Sequence, residues 1–130
     1  MEQHPLVSFI IPYFNSGSTI EETIQSIFNQ SYANFDIWLI NDGSTDPFSI
    51  EKLKEFEGNA KIHIIHQENS GPSTARNTAI ARANGSIIVP LDADDLLEVN
   101  AIQESVEFLN AHPNVGKTCR LTKERSEYQR

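Results

Sequence analysis

Asp92, Asp94 and Asp95, with Ala93 among them, follow directly on the apolar run Ser86-Ile87-Ile88-Val89-Pro90-Leu91. A buried strand thus opens into a knot of carboxylates. Two unit charges about 4 Å apart repel by roughly 1 kcal/mol in water and by roughly 4 kcal/mol at an effective dielectric near 20. A divalent cation reverses that repulsion, and an all-oxygen ligand set suits Mg²⁺ or Mn²⁺ rather than zinc. On an extended chain Asp92 and Asp94 share one face while Ala93 and Asp95 take the other, which makes Asp92 with Asp94 the expected metal pair. The same residues also suit a strand-ending turn, with Asp94 or Asp95 as a helix N-cap.

Three further loops offer chemistry. In Asn41-Asp42-Gly43-Ser44-Thr45-Asp46 an aspartate follows an apolar run, where its carboxylate could accept hydrogen bonds from a base or ribose. Asp-Gly-Ser is equally ordinary turn chemistry, with Ser44 or Thr45 capping the next helix. Ser70-Gly71-Pro72-Ser73-Thr74-Ala75-Arg76-Asn77 reads as a helix entry with Arg76 one turn in. Free N–H groups and a planar guanidinium suit a diphosphate there. The segment is neither a Walker loop nor a GxGxxG fingerprint. Capping by Ser73 or Thr74 and a structurally paired Arg76 are the competing reading. Pro12-Tyr13-Phe14-Asn15 ends the first apolar run with two aromatics. One of them could stack on a nucleobase while the other packs into the core, and Asn15 and Ser16 also suit a turn and cap. His4, His63, His66 and His112 show no ligand spacing and read as structural.

The elements that must position these loops alternate. Apolar strands are expected at residues 6–12, 35–40, 61–66 and 86–91, closed by Pro or by Asn-Asp-Gly-Ser. Helical faces lie between them: Ile20, Ile24, Ile27 and Phe28; then Ile50, Leu53, Lys54 and Phe56; then a small-faced helix with Ala75, Ala79 and Ala83. A fourth amphipathic helix, residues 101–109, stops near His112-Pro113. This order predicts an α/β fold, a Rossmann-like, doubly wound and mostly parallel sheet whose ligands bind at the carboxyl ends of the strands. Every polar loop named above falls at such an end.

Composition narrows the classes. A chain of 130 residues fits one domain. Its net charge of −8 and pI near 4.9 argue against a general grip on nucleic acid or anionic lipid, so a phosphate ligand needs local help. The lone Cys119 forms no internal disulfide and suggests a reducing cytosol. Met1-Glu2-Gln3-His4-Pro5 has no basic leader region, and no run approaches the roughly 20 apolar residues of a membrane span. The expected location is cytoplasmic, with the inner face of the membrane open to a longer protein. Residues 116–130 form a charged, polar tail.

Taken together, Val7-Ser8-Phe9-Ile10-Ile11-Pro12-Tyr13-Phe14-Asn15, Ser26-Ile27-Phe28-Asn29-Gln30-Ser31-Tyr32, Asn41-Asp42-Gly43-Ser44-Thr45-Asp46, Glu68-Asn69-Ser70-Gly71-Pro72-Ser73-Thr74-Ala75-Arg76-Asn77 and Leu91-Asp92-Ala93-Asp94-Asp95 resemble family 2 glycosyltransferases of the GT-A fold, in the family's own order. The resemblance covers residues 6 to 115 and makes residues 1–115 the donor half of such a domain, truncated after the acidic segment. It implies a metal-dependent, inverting transfer of a sugar from a nucleotide-sugar, commonly a UDP-sugar, to a glycan, lipid-linked or other acceptor, as in polysaccharide biosynthesis. Asp92-Ala93-Asp94 becomes the DxD motif, with Mn²⁺ or Mg²⁺ on Asp92 and Asp94. Pro12, Tyr13 or Phe14 would flank the base and Asn15 would stand beside them. Asp42 would accept from the base, and Arg76 would lie near the phosphates beside Asp92 and Ala93. Asp95 would orient the donor sugar, support the loop or stand in for a catalytic base that the family places after this segment. A non-catalytic nucleotide- or metal-binding module, or an inactive fragment, is the alternative. Apolar faces at Phe108 and Leu109 leave a homo-oligomer open.

Overall fold

The computed structural model describes residues 4–112. Strand and helix alternate as β1 (Val7–Tyr13), α1 (Ile20–Phe28), β2 (Phe35–Asp42), α2 (Pro47–Leu53), β3 (Ile62–Gln67), α3 (Pro72–Arg82), β4 (Ile87–Pro90) and α4 (Ala101–Ala111). A 3-10 turn, Lys54–Phe56, prolongs α2. The expected tail at 116–130, with Cys119, lies outside the described residues. The strands stand in the order β3-β2-β1-β4, and every pairing is parallel.

Alternation along the strands sorts the core into two layers. Val7, Phe9, Ile11 and Tyr13 of β1 pack with Phe35, Ile37 and Leu39 of β2 against Ile20, Ile24 and Ile27 of α1 and Ile102 and Val106 of α4. On the other face Ile10, Trp38, Ile40 and Ile65 meet Ala75 and Ala79 of α3. Helices on both faces explain why the strands read as continuous apolar runs. Alanines on α3 let that helix lie close to the sheet.

Helix starts differ from the expected ones. α2 is capped by Asp46, whose Oδ2 accepts from the Ser49 N–H at 3.0 Å, with Pro47 in the first turn. Ser44 and Thr45 do not cap it. α3 opens at Gly71, whose φ of +95° suits glycine, and at Pro72, three residues before Ala75. Neither Ser73 nor Thr74 is its cap.

Two prolines in strands are tolerated for a positional reason. Leu91 N–H donates to Ile10 O at 2.9 Å, so alternation turns the nitrogen of Pro90 away from β1. Pro12 stands beyond the last β1–β4 pair, Ile10 with Pro90. Past that pair β1 and β4 part company, and this is also where the strand order reverses direction.

Entry into β4 is tight. A Cβ on Gly85 would lie 2.4 Å from Ser8 Oγ and 2.8 Å from the backbone nitrogen of Ser8. Ser8 Oγ itself accepts from the Gly85 N–H at 3.0 Å and donates to Asp36 Oδ1 at 2.7 Å. Gly85→Ala is expected to lower unfolding free energy by about 1–3 kcal/mol, the range for overpacking, as read from urea denaturation midpoints.

Candidate functional site

A cavity of about 420 Å³ opens where β1 and β4 diverge. Its wall includes Pro12, Tyr13, Phe14 and Asn15 from the end of β1, Asp42 from β2, and Asp92, Ala93 and Asp94 from the segment after β4. The carboxyl ends of parallel strands at such a reversal are where open α/β sheets bind ligands.

The two aromatics divide as one of the readings had it. Tyr13 is buried, and its hydroxyl donates to Ser49 O at 2.7 Å. Burial raises its pKa above the ordinary phenol value, so it stays a neutral donor tying β1 to α2. Phe14 is 47% exposed and offers its ring at the cavity. Asn15 adopts φ of +51°, a region that asparagine enters more readily than most residues. Its Oδ1 accepts from the N–H groups of Thr45 and Asp46 at 2.8 and 2.9 Å, and its own N–H donates to Ser44 Oγ at 3.0 Å. The loops after β1 and β2 are therefore clamped together by one side chain.

Asp42 is almost fully buried. Its carboxylate accepts from Gln67 Nε2 at 2.9 Å, from Ser70 N–H at 2.8 Å and from Gly71 N–H at 2.9 Å. Asn69 Nδ2 donates to its carbonyl at 3.0 Å. Burial works to raise the carboxyl pKa, and the three donors outweigh it, leaving the group below its ordinary value. An ionised carboxylate offers roughly four acceptor positions, so one is left over by these three donors.

Arg76 is absent from the cavity wall but reaches it through a partner: its Nη2 lies 3.3 Å from Asp92 Oδ1, with both side chains part exposed. This is the paired arrangement offered above as its alternative to a phosphate role, and it puts a guanidinium beside the carboxylates.

The acidic segment is not extended. Asp95 N–H donates to Asp92 O at 3.0 Å, closing a turn, and Asp95 Oδ2 accepts from the Asp92 N–H at 2.9 Å. The face-sharing argument built on strand alternation is therefore corrected. A turn, not a pleat, gathers Asp92, Asp94 and Asp95, with one oxygen from each within 4.8 Å of the others. Asp95 is buried in this role, while Asp94 is exposed and Asp92 half-buried at the cavity. Three hard oxygen donors so close could hold a hard divalent cation.

Several contributors were not singled out from sequence. Thr19 and Pro72 line the cavity. Gln67 and Asn69 hold Asp42, and Thr23 reaches Ala93 from inside α1. Thr23 carried a signal: a polar residue on the apolar face formed by Ile20, Ile24 and Ile27.

The family model described as glycosyl transferase family 2 matches residues 8–129. Chondroitin synthase of Pasteurella multocida (strain Pm70) is 36% identical over 107 residues, 81% of this chain and 11% of its own length. The mannosyltransferase PcManGT from Pyrobaculum calidifontis, solved with GDP-Man and Mn²⁺, superposes with a TM-score of 0.76 at 30% identity, over 87% of this chain and 34% of its own. TarS 1-349 of S. aureus, solved with UDP-GlcNAc, gives a TM-score of 0.75 at 25% identity over 82% and 32%. The chain spans from 11% to 42% of the length of curated relatives such as these.

The Asp42 network yields a pH test. Its folded pKa lies below its unfolded one, so its stabilisation is complete above the unfolded value and is lost as pH falls through the folded value. Asp42→Asn is expected to reduce stability by about 1–3 kcal/mol near neutral pH, since an amide nitrogen would face a backbone N–H. It is also expected to flatten the acid limb of stability, measured as urea midpoints between neutral and acid pH.

Proposed function

The chain belongs to glycosyl transferase family 2, and on that premise we propose that its crevice binds the nucleoside diphosphate of a sugar donor together with Mn²⁺ or Mg²⁺, for inverting sugar transfer to an acceptor. The observation that carries this reading is convergence: an exposed aromatic ring, a buried acceptor carboxylate and a carboxylate turn meet at one cavity, with a guanidinium held beside it by Asp92.

Each group has a place in the reading. Phe14 and Pro12 flank the base, with Asn15 holding their loop. Asp42 presents its remaining acceptor position to a ring N–H, which uracil and guanine both possess. That choice agrees with the UDP-GlcNAc and GDP-Man bound by the two structural neighbours. Asp92 and Asp94 hold the cation, Ala93 keeps the turn between them, and Arg76 adds positive charge beside the phosphates. The cation, when bound, supplies charge neutralisation for the departing diphosphate.

Transfer itself is a displacement at the anomeric carbon. An acceptor hydroxyl forms the new bond as the bond to the diphosphate oxygen breaks, and a general base takes the hydroxyl proton. Asp95 does not fit that base, because it is 4% exposed and its Oδ2 already holds the Asp92 N–H. Among the described residues, donor binding is the part of the reaction with assigned groups. A donor-binding module without turnover is the second reading, since among the described residues no side chain is assigned as the general base. Among the described residues, no helix is long and apolar enough to cross a membrane.

Thermal unfolding of the full chain with UDP, GDP and their sugar conjugates, with and without Mn²⁺, tests the reading. A nucleotide at a hundred times its Kd stabilises by about 2.7 kcal/mol, a shift of several degrees. Asp94→Ala is expected to remove the Mn²⁺-dependent part of that shift, and Glu104→Ala on the exposed side of α4 to leave it unchanged. Equal shifts in wild type and Asp94→Ala would refute the metal assignment.

A further inference from the structure

Thr19 at the N-cap of α1, then Thr23, Ser26 and Gln30, recur at helical spacing and so form one polar row. Each bonds to the backbone of the segment after β4. Thr19 Oγ1 and Thr23 Oγ1 both donate to Ala93 O at 2.9 Å. Ser26 Oγ accepts from the Leu97 N–H at 3.2 Å. Gln30 Nε2 donates to Glu98 O at 2.6 Å, and its Oε1 accepts from the Ile102 N–H at 3.1 Å. A hydroxyl has one proton to give. Both threonines lie nearer to Ala93 O than to their local carbonyls, Ser16 O and Thr19 O, each at 3.4 Å.

Ala93 O belongs to the peptide plane that joins Ala93 to Asp94. Two donors on that oxygen fix the plane's rotation, and with it the direction in which Asp94 leaves the chain. From the other side, Asp95 Oδ2 holds the Asp92 N–H. The turn that carries the carboxylates is thereby fixed on both flanks, one of them supplied by a helix some 70 positions earlier in sequence.

We propose that Thr19 and Thr23 are positioning residues that set the affinity of the acidic turn for a divalent cation, acting through the Ala93 carbonyl without touching the ion. The inference rests on the reading of Asp92 and Asp94 as the metal pair. Partners that orient metal ligands from outside govern affinity in this way, and their loss weakens binding by roughly 10- to 100-fold.

The test uses the full chain and Mn²⁺ alone, with free Mn²⁺ followed by electron paramagnetic resonance and folding followed by urea midpoints. Valine keeps the shape of threonine and removes its hydroxyl. The double variant Thr19→Val/Thr23→Val is expected to remain folded and to bind Mn²⁺ roughly tenfold more weakly. Thr23→Ser, which keeps the hydroxyl, is expected to bind it like wild type. Should the double variant unfold, Thr23→Val, which leaves Thr19 on the carbonyl, decides by the same two measurements. A folded valine variant with wild-type Mn²⁺ affinity overturns the proposal, as does a serine variant as weak as the valine one. If wild type and Asp94→Ala bind Mn²⁺ alike, the metal pair itself is wrong and the proposal falls with it.

Discussion

β1 and β4 run side by side from Val7 with Ile87 to Ile10 with Pro90, and then separate. Chain connectivity enforces this. From β1 the chain proceeds through α1 to β2 on one flank, whereas β4 arrives from α3 on the other. Backbone groups beyond the last pair have no neighbouring strand between them, and loops from both flanks enclose the space. Pro12 is compatible with that place, since a residue without an N–H interrupts no ladder there. Every group assigned to ligand binding stands on the rim of this gap or bonds to a residue that does.

The molecule carries a net charge of −8, yet the proposed ligand is an anion. The arrangement of the rim removes the contradiction. Asp42 is ionised but directs its charge into the donors of residues 67–71, and Arg76 sits against Asp92. What remains at the cavity is a carboxylate turn whose own repulsion a cation would relieve, and a cation so held would attract phosphate. Overall charge therefore speaks to solubility and to long-range encounter, while the ligand responds to the few groups within contact distance.

The fold was legible because the central runs, β1 and β2, are buried on both faces and read as continuous apolar stretches, while the edge runs β3 and β4 keep a buried face at every other or third residue. Element order, parallel pairing and the loops facing the crevice all follow from these runs. Helix starts were less legible. Ser and Thr candidates abound in these loops, but Asp46 and Gly71, each followed by proline, took the positions. The acidic segment was read with the wrong backbone. Period-two reasoning extends a strand until something stops it, and the stop is a side chain, Asp95, closing on the N–H of Asp92. Contacts such as Thr23 with Ala93 lie beyond local pattern, because only the folded chain brings α1 against that turn.

Arg76 follows Ala75 in α3, whose buried face is built from Ala75 and Ala79 against Ile10, Trp38 and Ile40. That face has no side chain longer than a methyl group, so the distance from helix axis to sheet is set by alanine itself. Any bulkier residue at either position would lift the helix and carry the guanidinium away from Asp92. Changes at these two interior positions, which do not line the cavity, would thus disturb its rim as much as changes in the residues that do.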